Sequence, residues 1–488
     1  MCIIQDDTKD KHRQLAHMAS IYANAYFTLV AMDGDHSDFG LAGVDLHSRP
    51  RQLKRTLLEF ASDLTLSYQP GPIFGQTEKP WSKRGWTYQE RLLSSRCLVF
   101  SDDSVSWICP SASWQEGFFS EADFADNRVG LVRIGSAQQS ADRFFVVDEW
   151  PSTKVYANVI EKYNGRELTY PTDGLRAVSA ILDVLFEPFP NDSIYGLPEF
   201  YFDASLLWGP SQQQPLERRG SAQGVFGDDY LPTWSWAGWQ GHVHNPLLEG
   251  IDVCWGFDYY PGQLIPIVEW RKTEKETGLT FPISNSLFTY ISFSANPDIQ
   301  YVRTNLPAGW TVGRSLYPIN GRLWGFRHKN FSTKHFLYPY PMATASESTR
   351  RIWEPFISAE AKRAYLTVDA LRTRTTRGRE HSYLSLANAT GEFAGVLQPQ
   401  SLNPSLSFVG VLCELVAISR GSQHIESRIR LSWELREFEQ LQGLEVYEFY
   451  SVLWIEWDKG VAYRKGLGRI PKEIWEQLNL ESIDLVLG

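Results

Sequence analysis

The sequence predicts three regions: an α/β region over residues 1–145, a helical and tryptophan-rich region over residues 146–260, and a β-rich region over residues 261–488. Short apolar runs alternate with helix-period patterns near the N-terminus, which is typical of an α/β fold. Two helical stretches and a cluster of indoles follow. Beyond residue 281, β-branched and aromatic residues alternate with polar ones, and this pattern indicates antiparallel strands.

The composition is that of a folded protein that is not built to bind polyanions. Of 488 residues, 43% are hydrophobic and 21% are charged, which excludes a disordered chain and a long coiled coil. The 57 acidic and 47 basic side chains give a net charge of -10, so nucleic acid is not an expected partner. The most apolar stretch, residues 408–418, carries Glu414 and is shorter than the roughly 20 apolar residues of a membrane span. No membrane span is expected.

The cysteines and the N-terminal residues predict a cytoplasmic protein. The five cysteines are scattered, and none has the spacing to a second cysteine or a histidine that a zinc site needs. Residues 1–7 lack the basic and apolar regions of a signal peptide. No P-loop, GxSxG or GxGxxG motif occurs, so the sequence does not support an ATPase, an α/β-hydrolase or a Rossmann dinucleotide-binding protein, and no bound cofactor is expected. His242 and His244 have a spacing that could bind a metal, but no third ligand lies nearby in the sequence, so no metal site is expected.

The N-terminal elements are expected to begin with a parallel strand–helix–strand unit over residues 1–32. Residues 1–4 form an apolar run typical of a buried strand, residues 9–25 carry apolar side chains at helical spacing, and residues 27–32 form the next strand. The helix is expected to bury Leu15, Met18 and Tyr22.

A second helix is expected over residues 80–94, followed by strands over residues 96–100 and 104–109. Between these elements, residues 33–43 are dense in Asp and Gly, which indicates an exposed loop. Such a loop at the end of a strand is a favoured place for ligand binding in open α/β sheets. The loop is therefore a candidate wall of a site.

The middle and C-terminal regions contain further helices and strands. Helices are expected over residues 152–163 and 173–186, and strands over residues 408–418 and 450–457. Residues 232–239 alternate indoles with small residues, which suits a strand or turn that packs large rings against a neighbouring region. A hairpin turn, a helix and a last strand are expected at residues 458–460, 472–478 and 482–487.

Two motifs resemble the fungal heterokaryon incompatibility (HET) domain. The first begins with CIIQDD at residues 2–7 and continues to GLAG at residues 40–43. The second is PWSKRGWTYQERLLS at residues 80–94, followed by the strand that begins at Cys97. Farther along, the indole cluster and the run VLWIEW at residues 452–457 are similar to the long C-terminal region of many such proteins. The resemblance spans nearly the whole chain.

The resemblance implies a role in non-self recognition when fungal cells fuse, with the HET domain triggering programmed cell death. HET domains are distantly similar to Toll/interleukin-1 receptor (TIR) domains, which implies a flavodoxin-like fold for residues 1–145. Some TIR domains cleave NAD with a helix-borne glutamate in a Trp-Cys-x-x-Glu pattern. The family pattern also carries an earlier strand and a Trp-x-Asp motif upstream of Cys2, so we expect an N-terminally truncated domain that lacks its first strand.

Glu90 is the candidate catalytic residue. Trp86 precedes it by four residues on the expected helix, so both side chains share one face, although Thr87 replaces the Cys of the TIR pattern. A carboxylate at this place could stabilise the oxocarbenium charge that develops when nicotinamide leaves the ribose of NAD. The candidate substrate-binding residues are Trp86, Arg84, Asp6 and Asp33.

The same residues also have structural interpretations. Trp86 could be a core residue, Glu90 a solvated partner of Arg91 or Arg84, and Asp6 a helix cap. Two functions therefore stay open. The chain is either an NAD glycohydrolase, with NAD as its substrate, or a non-catalytic module that signals death by assembling with itself or with other incompatibility or signalling proteins. An open pocket around Glu90 beside Trp86 would favour the enzyme, and a flat exposed helix face would favour the module.

Overall fold

The computed structural model describes most of the chain, in two compact units. The described residues are 14, 17–44, 50–51, 56–61, 64–68, 79–101, 104–110, 112–116, 131–133, 153–190, 193–211, 216–219, 230–245, 263–315, 323–331, 335–342, 351–376, 379–401, 407–424 and 446–488. Unit 1 comprises Met1–Val147, Arg166–Thr169 and Arg176–Val184, and unit 2 comprises Asp148–Gly165, Tyr170–Leu175 and Leu185–Gly488. The division of the chain at residues 145 and 260 stays a prediction.

The described part of unit 1 contains a mixed sheet and short helices. The helices are α1 (Met18–Asn24), α2 (Pro80–Lys83) and α3 (Gly85–Leu93). The strands are β1 (Thr28–Ala31), β2 (Thr56–Ala61), β3 (Leu64–Tyr68), β4 (Cys97–Ser101), β5 (Ser104–Cys109), β6 (Ala112–Glu116) and β7 (Leu131–Arg133). The sheet has the order β1-β4-β5-β6-β7, and β2 and β3 form a separate antiparallel pair.

One pair of described strands in unit 1 is parallel. Strand β1 runs parallel to β4, with Thr28 opposite Cys97, whereas β4 to β7 pair in antiparallel fashion. Burial alternates along β4 and β5, and Trp81 packs against the buried face of the sheet. That face is formed by Val30, Met32, Cys97, Val99 and Ile108. The unit is thus an α/β structure, and the flavodoxin-like arrangement stays a prediction.

The predicted strand–helix–strand unit of residues 1–32 is described only in its second half. The strand expected at residues 1–4 and Leu15 lie outside the described residues. Met18 is buried, whereas Tyr22 is half-buried rather than buried as predicted, and its hydroxyl forms a hydrogen bond with the carboxyl of Glu90.

The helix predicted over residues 80–94 is in fact two helices. Arg84, between them, has an extended backbone with φ -75° and ψ 136°. Here the backbone N–H of Gly85 donates to Glu167 O at 2.7 Å, and the N–H of Glu167 donates to Lys83 O at 2.6 Å. A contact distant in sequence therefore replaces the local helical hydrogen bonds, which periodicity cannot reveal.

Unit 2 contains the remaining elements. Its helices are α4 (Thr153–Asn164), α5 (Arg176–Phe186, of which residues up to Val184 belong to unit 1), α6 (Phe202–Ser205), α7 (Leu287–Ser292), α8 (Ile299–Asn305) and α9 (Lys472–Gln477). Its short strands are β8 (Ser193–Ile194), β9 (Leu197–Pro198), β10 (Gly209–Pro210), β11 (Glu217–Arg218), β12 (Trp239–Gln240), β13 (Val243–His244), β14 (Gln263–Pro266), β15 (Arg271–Glu274), β16 (Thr280–Pro282), β17 (Trp310–Arg314) and β18 (Trp324–His328).

The C-terminal region is β-rich, as predicted. Its long strands are β19 (Trp353–Thr376), β20 (Arg379–Ala387), β21 (Phe393–Pro399), β22 (Leu412–His424), β23 (Val446–Asp458), β24 (Val461–Pro471) and β25 (Glu481–Leu487). Strand β19 pairs with β20 near its end and with β22 near its middle, so the path β20-β21-β24-β23-β22 returns to β19 and the sheet closes on itself. Its apolar core includes Leu366, Leu386, Leu415 and Val452, with Trp475 of α9 packed into it.

The predicted hairpin turn at residues 458–460 is confirmed between β23 and β24. Lys459 and Gly460 both have positive φ, at 49° and 82°. Two consecutive residues of this conformation match the twist of the flanking strands in a two-residue turn. None of the helices in the described part of the chain is long and apolar enough to cross a membrane.

The indole cluster of residues 232–239 is buried, and its N–H groups are satisfied by neighbouring acceptors. Trp234 donates to Pro355 O at 3.1 Å, Trp236 to the hydroxyl of Tyr156 at 3.0 Å, and Trp239 to Thr233 O at 2.9 Å. A buried indole needs such an acceptor. The cluster joins helix α4 to the start of β19, within unit 2.

Candidate functional site

Glu90 is a half-buried carboxyl on helix α3 of unit 1. The hydroxyl of Tyr22, on α1, donates a hydrogen bond to it. Burial raises the pKa of Glu90 above its usual range, and the charge of Arg84 and the hydrogen bond from Tyr22 oppose that rise. Burial and the neighbouring Glu90 carboxylate likewise raise the pKa of Tyr22. The side chain is thus partly buried rather than displayed on a flat exposed face.

Arg84 and Trp86 lie at the start of the same helix. Arg84 is exposed, and its carbonyl accepts hydrogen bonds from Thr87 Oγ1 at 2.7 Å and from Arg166 at 3.3 Å. Trp86 is half-buried, four residues before Glu90 and hence on the same helical face. The structure therefore brings Glu90 and Arg84 into electrostatic contact, with Trp86 one turn away.

Other residues of the motif at residues 80–94 form hydrogen bonds that connect elements of unit 1. Thr87 Oγ1 also donates to Trp81 O at 2.6 Å and so links α2 to α3. Gln89 is buried, accepts a hydrogen bond from the Ala180 N–H at 2.9 Å and contacts the sulfur of Met18. The motif therefore has a structural role in addition to any chemistry of Glu90.

Asp33 lies at the end of β1, in a shallow cleft. Its Oδ1 forms an ion pair with Lys79 Nζ at 2.8 Å and accepts a hydrogen bond from Ser101 Oγ at 3.3 Å. The described residues that line the cleft are Ala31, Asp33, Gly34, Phe39, Gly40, Leu41, Ala42, Arg51, Phe100, Ser101 and Ser104. The cleft lies at the carboxyl ends of the parallel strands β1 and β4, where α/β proteins commonly bind ligands.

The residues predicted for one site thus fall into two places. Glu90, Arg84 and Trp86 belong to α3 and its start, and they are not among the described residues that line the Asp33 cleft. Asp6 lies outside the described residues. Sequence reasoning missed Tyr22 as a partner of Glu90, because the helical spacing of Tyr22 indicates only a core position. It also missed the serines and Arg51, for which the sequence carries no local signal.

The described residues of unit 1 include groups suited to acid–base and hydrogen-bonding chemistry. In the part of the chain that the structure describes, no group of three or more His, Cys, Asp or Glu side chains is placed to hold a metal ion. The perturbed carboxyl of Glu90 is the kind of group that often marks a functional site, although structural pairs also perturb pKa values.

Comparison with known proteins identifies a family in the N-terminal part of the chain. Residues 1–90 match the family model described as Heterokaryon incompatibility protein (HET). No curated protein and no solved structure matches the chain. The matched segment contains both predicted HET motifs up to Glu90, with α1, β1, α2 and most of α3. The chain is therefore a protein with a heterokaryon incompatibility (HET) domain in residues 1–90.

Proposed function

We propose that this protein acts in heterokaryon incompatibility, that it triggers programmed cell death, and that it does so by cleaving NAD with Glu90. The HET match over residues 1–90 supports the first part. The observation that supports the last part is the environment of Glu90, a desolvated carboxyl held by Tyr22 beside the guanidinium of Arg84. Such an environment is typical of groups that do chemistry.

The proposed reaction breaks the bond between ribose and nicotinamide. The leaving nicotinamide is cationic in NAD and departs as a neutral molecule, so no general acid is needed. The ribose develops oxocarbenium character, which the ionised carboxylate of Glu90 stabilises, and water then attacks the same carbon and releases one proton to the solvent. Arg84 is exposed and suited to bind the diphosphate, and the indole of Trp86 offers a surface for stacking.

The test replaces Glu90 by Gln in the full chain, which keeps the shape and removes the charge. We expect NAD loss and cell death on overexpression to fall by about 100-fold or more. Glu167→Gln is the matched control, since Glu167 is an exposed carboxylate of the same unit that contacts α3 through its backbone. Killing by the Glu90→Gln variant at the level of the control would exclude a catalytic role for Glu90.

A second candidate function is death signalling by assembly, without catalysis. It is favoured by exposed apolar side chains in and between α1 and β1. Tyr26 is 80% exposed to solvent and Leu29 is 55% exposed, and Ile21 and Phe27 are exposed to 44% and 40%. Apolar side chains grouped on a surface are typical of interaction sites. In this case Leu29→Glu abolishes killing and self-association, measured by light scattering, while Glu90→Gln leaves both unchanged.

A further inference from the structure

Asp203 is a fully buried carboxyl in unit 2 with neutral hydrogen-bond partners. It lies on α6 and has no exposed surface. Its Oδ1 accepts a hydrogen bond from the indole N–H of Trp270 at 2.9 Å, and its Oδ2 accepts one from the side-chain amide of Asn285. Within the described residues it forms no ion pair. An ionised carboxylate in such a place pays for its lost hydration without a compensating cation.

The charged groups near Asp203 are engaged elsewhere. The ammonium of Lys272, on β15, pairs with Glu199 one turn before Asp203 and lies 3.7 Å from the ring centre of Trp353. Arg464, beyond the other end of α6, donates to Leu206 O and to Trp208 O and stacks on the Trp208 ring. The preceding turn also carries Tyr201, a neutral phenol. Among the described residues, no neighbouring cation is therefore available to hold Asp203 ionised.

The side-chain amide of Asn285 can form a hydrogen bond with Asp203 in either protonation state. As placed, its Nδ2 donates to Asp203, and its Oδ1 is buried with no hydrogen-bond partner in the described structure. A rotation of the Asn285 amide by half a turn breaks no hydrogen bond of Oδ1, since this atom has none in the described structure. The rotation places Oδ1 beside a protonated Asp203, whose O–H then donates to it. One hydrogen bond joins the two side chains whether Asp203 is protonated or ionised. The cost of burying a charge therefore determines which protonation state the closed arrangement favours.

We propose that Asp203 and Asn285 form a proton-dependent latch, which holds the segment Glu199–Ser205 against the start of α7 when Asp203 is neutral and loosens when Asp203 ionises. Burial raises the pKa of Asp203 from its ordinary value of 3.8 to about 7, while the bond from Trp270 lowers it slightly. The opening equilibrium therefore depends on pH between the two pKa values, from about pH 4 to about pH 7.

The sign of the effect follows from proton binding. Between pH 4 and pH 7 the closed latch holds a proton that the open, solvated carboxyl has lost, so raising the pH favours opening. Each unit of pKa difference corresponds to about a tenfold change in the equilibrium. The opening equilibrium is expected to rise by up to about tenfold per pH unit across this window and to level off above pH 7.

Hydrogen exchange of the full chain, measured by mass spectrometry, tests the latch. The N–H of Ser286 donates to Phe200 O at 3.2 Å, so the protection of this amide reports the contact directly. After correction for intrinsic exchange, peptides that cover residues 283–292 should lose protection from pH 5 to pH 8. Asp203→Asn imitates the neutral acid, and its protection should be independent of pH and higher than wild type at pH 8.

Two further measurements keep the test decisive. Glu199→Gln removes the partner of Lys272 and should lower protection at every pH while keeping the wild-type dependence on pH. Infrared titration of the wild type should show a carboxylic-acid band, missing from Asp203→Asn, that persists above pH 5 and disappears near neutrality. The proposal is wrong if that band is absent above pH 5, or if the wild type and Asp203→Asn show the same dependence on pH.

Discussion

Replacing Gly238 by Ala should destabilise unit 2 strongly, because the backbone packs closely around this residue. A Cβ atom at Gly238 would lie 2.4 Å from Pro232 O, 3.2 Å from Leu231 O and 2.5 Å from a guanidinium nitrogen of Arg218. The two carbonyl oxygens belong to backbone, so they cannot turn aside as a side chain can. The alternation of indoles with small residues in this motif thus reflects close backbone contact.

The size of the effect follows from the overlap. A Cβ at 2.4 Å from an oxygen is about 1 Å inside van der Waals contact, and overpacking of a tight core costs about 1–3 kcal/mol. The carbonyl of Gly238 also accepts hydrogen bonds from the Arg219 N–H at 2.8 Å and from Arg218, so a backbone shift weakens these as well. We expect a loss of about 3 kcal/mol in the free energy of unfolding.

Urea unfolding followed by fluorescence of the buried tryptophans measures this loss. Gly313→Ala is the matched control, since an added Cβ there meets no atom within 4 Å and its φ is not positive. That variant should stay within about 0.5 kcal/mol of wild type. A Gly238→Ala protein as stable as the control would refute the reasoning, because it would mean that the backbone around the motif yields without cost.

Two other substitutions give independent tests. Lys272→Met removes the cation from the buried pair with Glu199 and should cost about 3–5 kcal/mol in urea unfolding, and adding Glu199→Gln should recover most of that loss. Tyr22→Phe removes the hydrogen bond that lowers the pKa of Glu90, so that pKa should rise further. A carboxyl whose pKa is raised by folding stabilises the folded state at low pH, and this stabilisation is lost as the pH rises through the raised pKa. The melting temperature should therefore fall more between pH 4 and pH 8 in Tyr22→Phe than in wild type. If Tyr22→Phe enlarges the fall in melting temperature just as much when Glu90 is already replaced by Gln, the effect does not come from Glu90 and the reasoning is wrong.

Much of the local structure could be predicted from the sequence. The strands around residues 96–109, helix α4 and the turn at Lys459 and Gly460 follow from apolar periodicity and turn chemistry, and the structure contains them. These signals are local, since they record which face of an element is buried and where the backbone must turn. The break at Arg84 was missed because Glu167, which pairs with the backbone there, is distant in sequence.

The candidate site was predicted less completely. The spacing of Trp86 and Glu90 places both on one helical face, and this holds in α3. The spacing does not reveal that Tyr22 binds the carboxyl or that Asp33 lies in a separate cleft with Ser101 and Arg51. These partners come from different elements, and their approach depends on how the sheet and helices of unit 1 pack.

The sequence by itself determined the HET assignment, the α/β character of the N-terminal region and the β-rich character of the C-terminal region, because motifs and periodicity are properties of order along the chain. Only the tertiary structure decided the protonation chemistry. Glu90 and Asp203 are both ordinary carboxyls in the sequence, and burial raises the pKa of each. The loss of hydration and the choice of hydrogen-bond partners arise when elements distant in sequence pack together, so they cannot be read from local spacing.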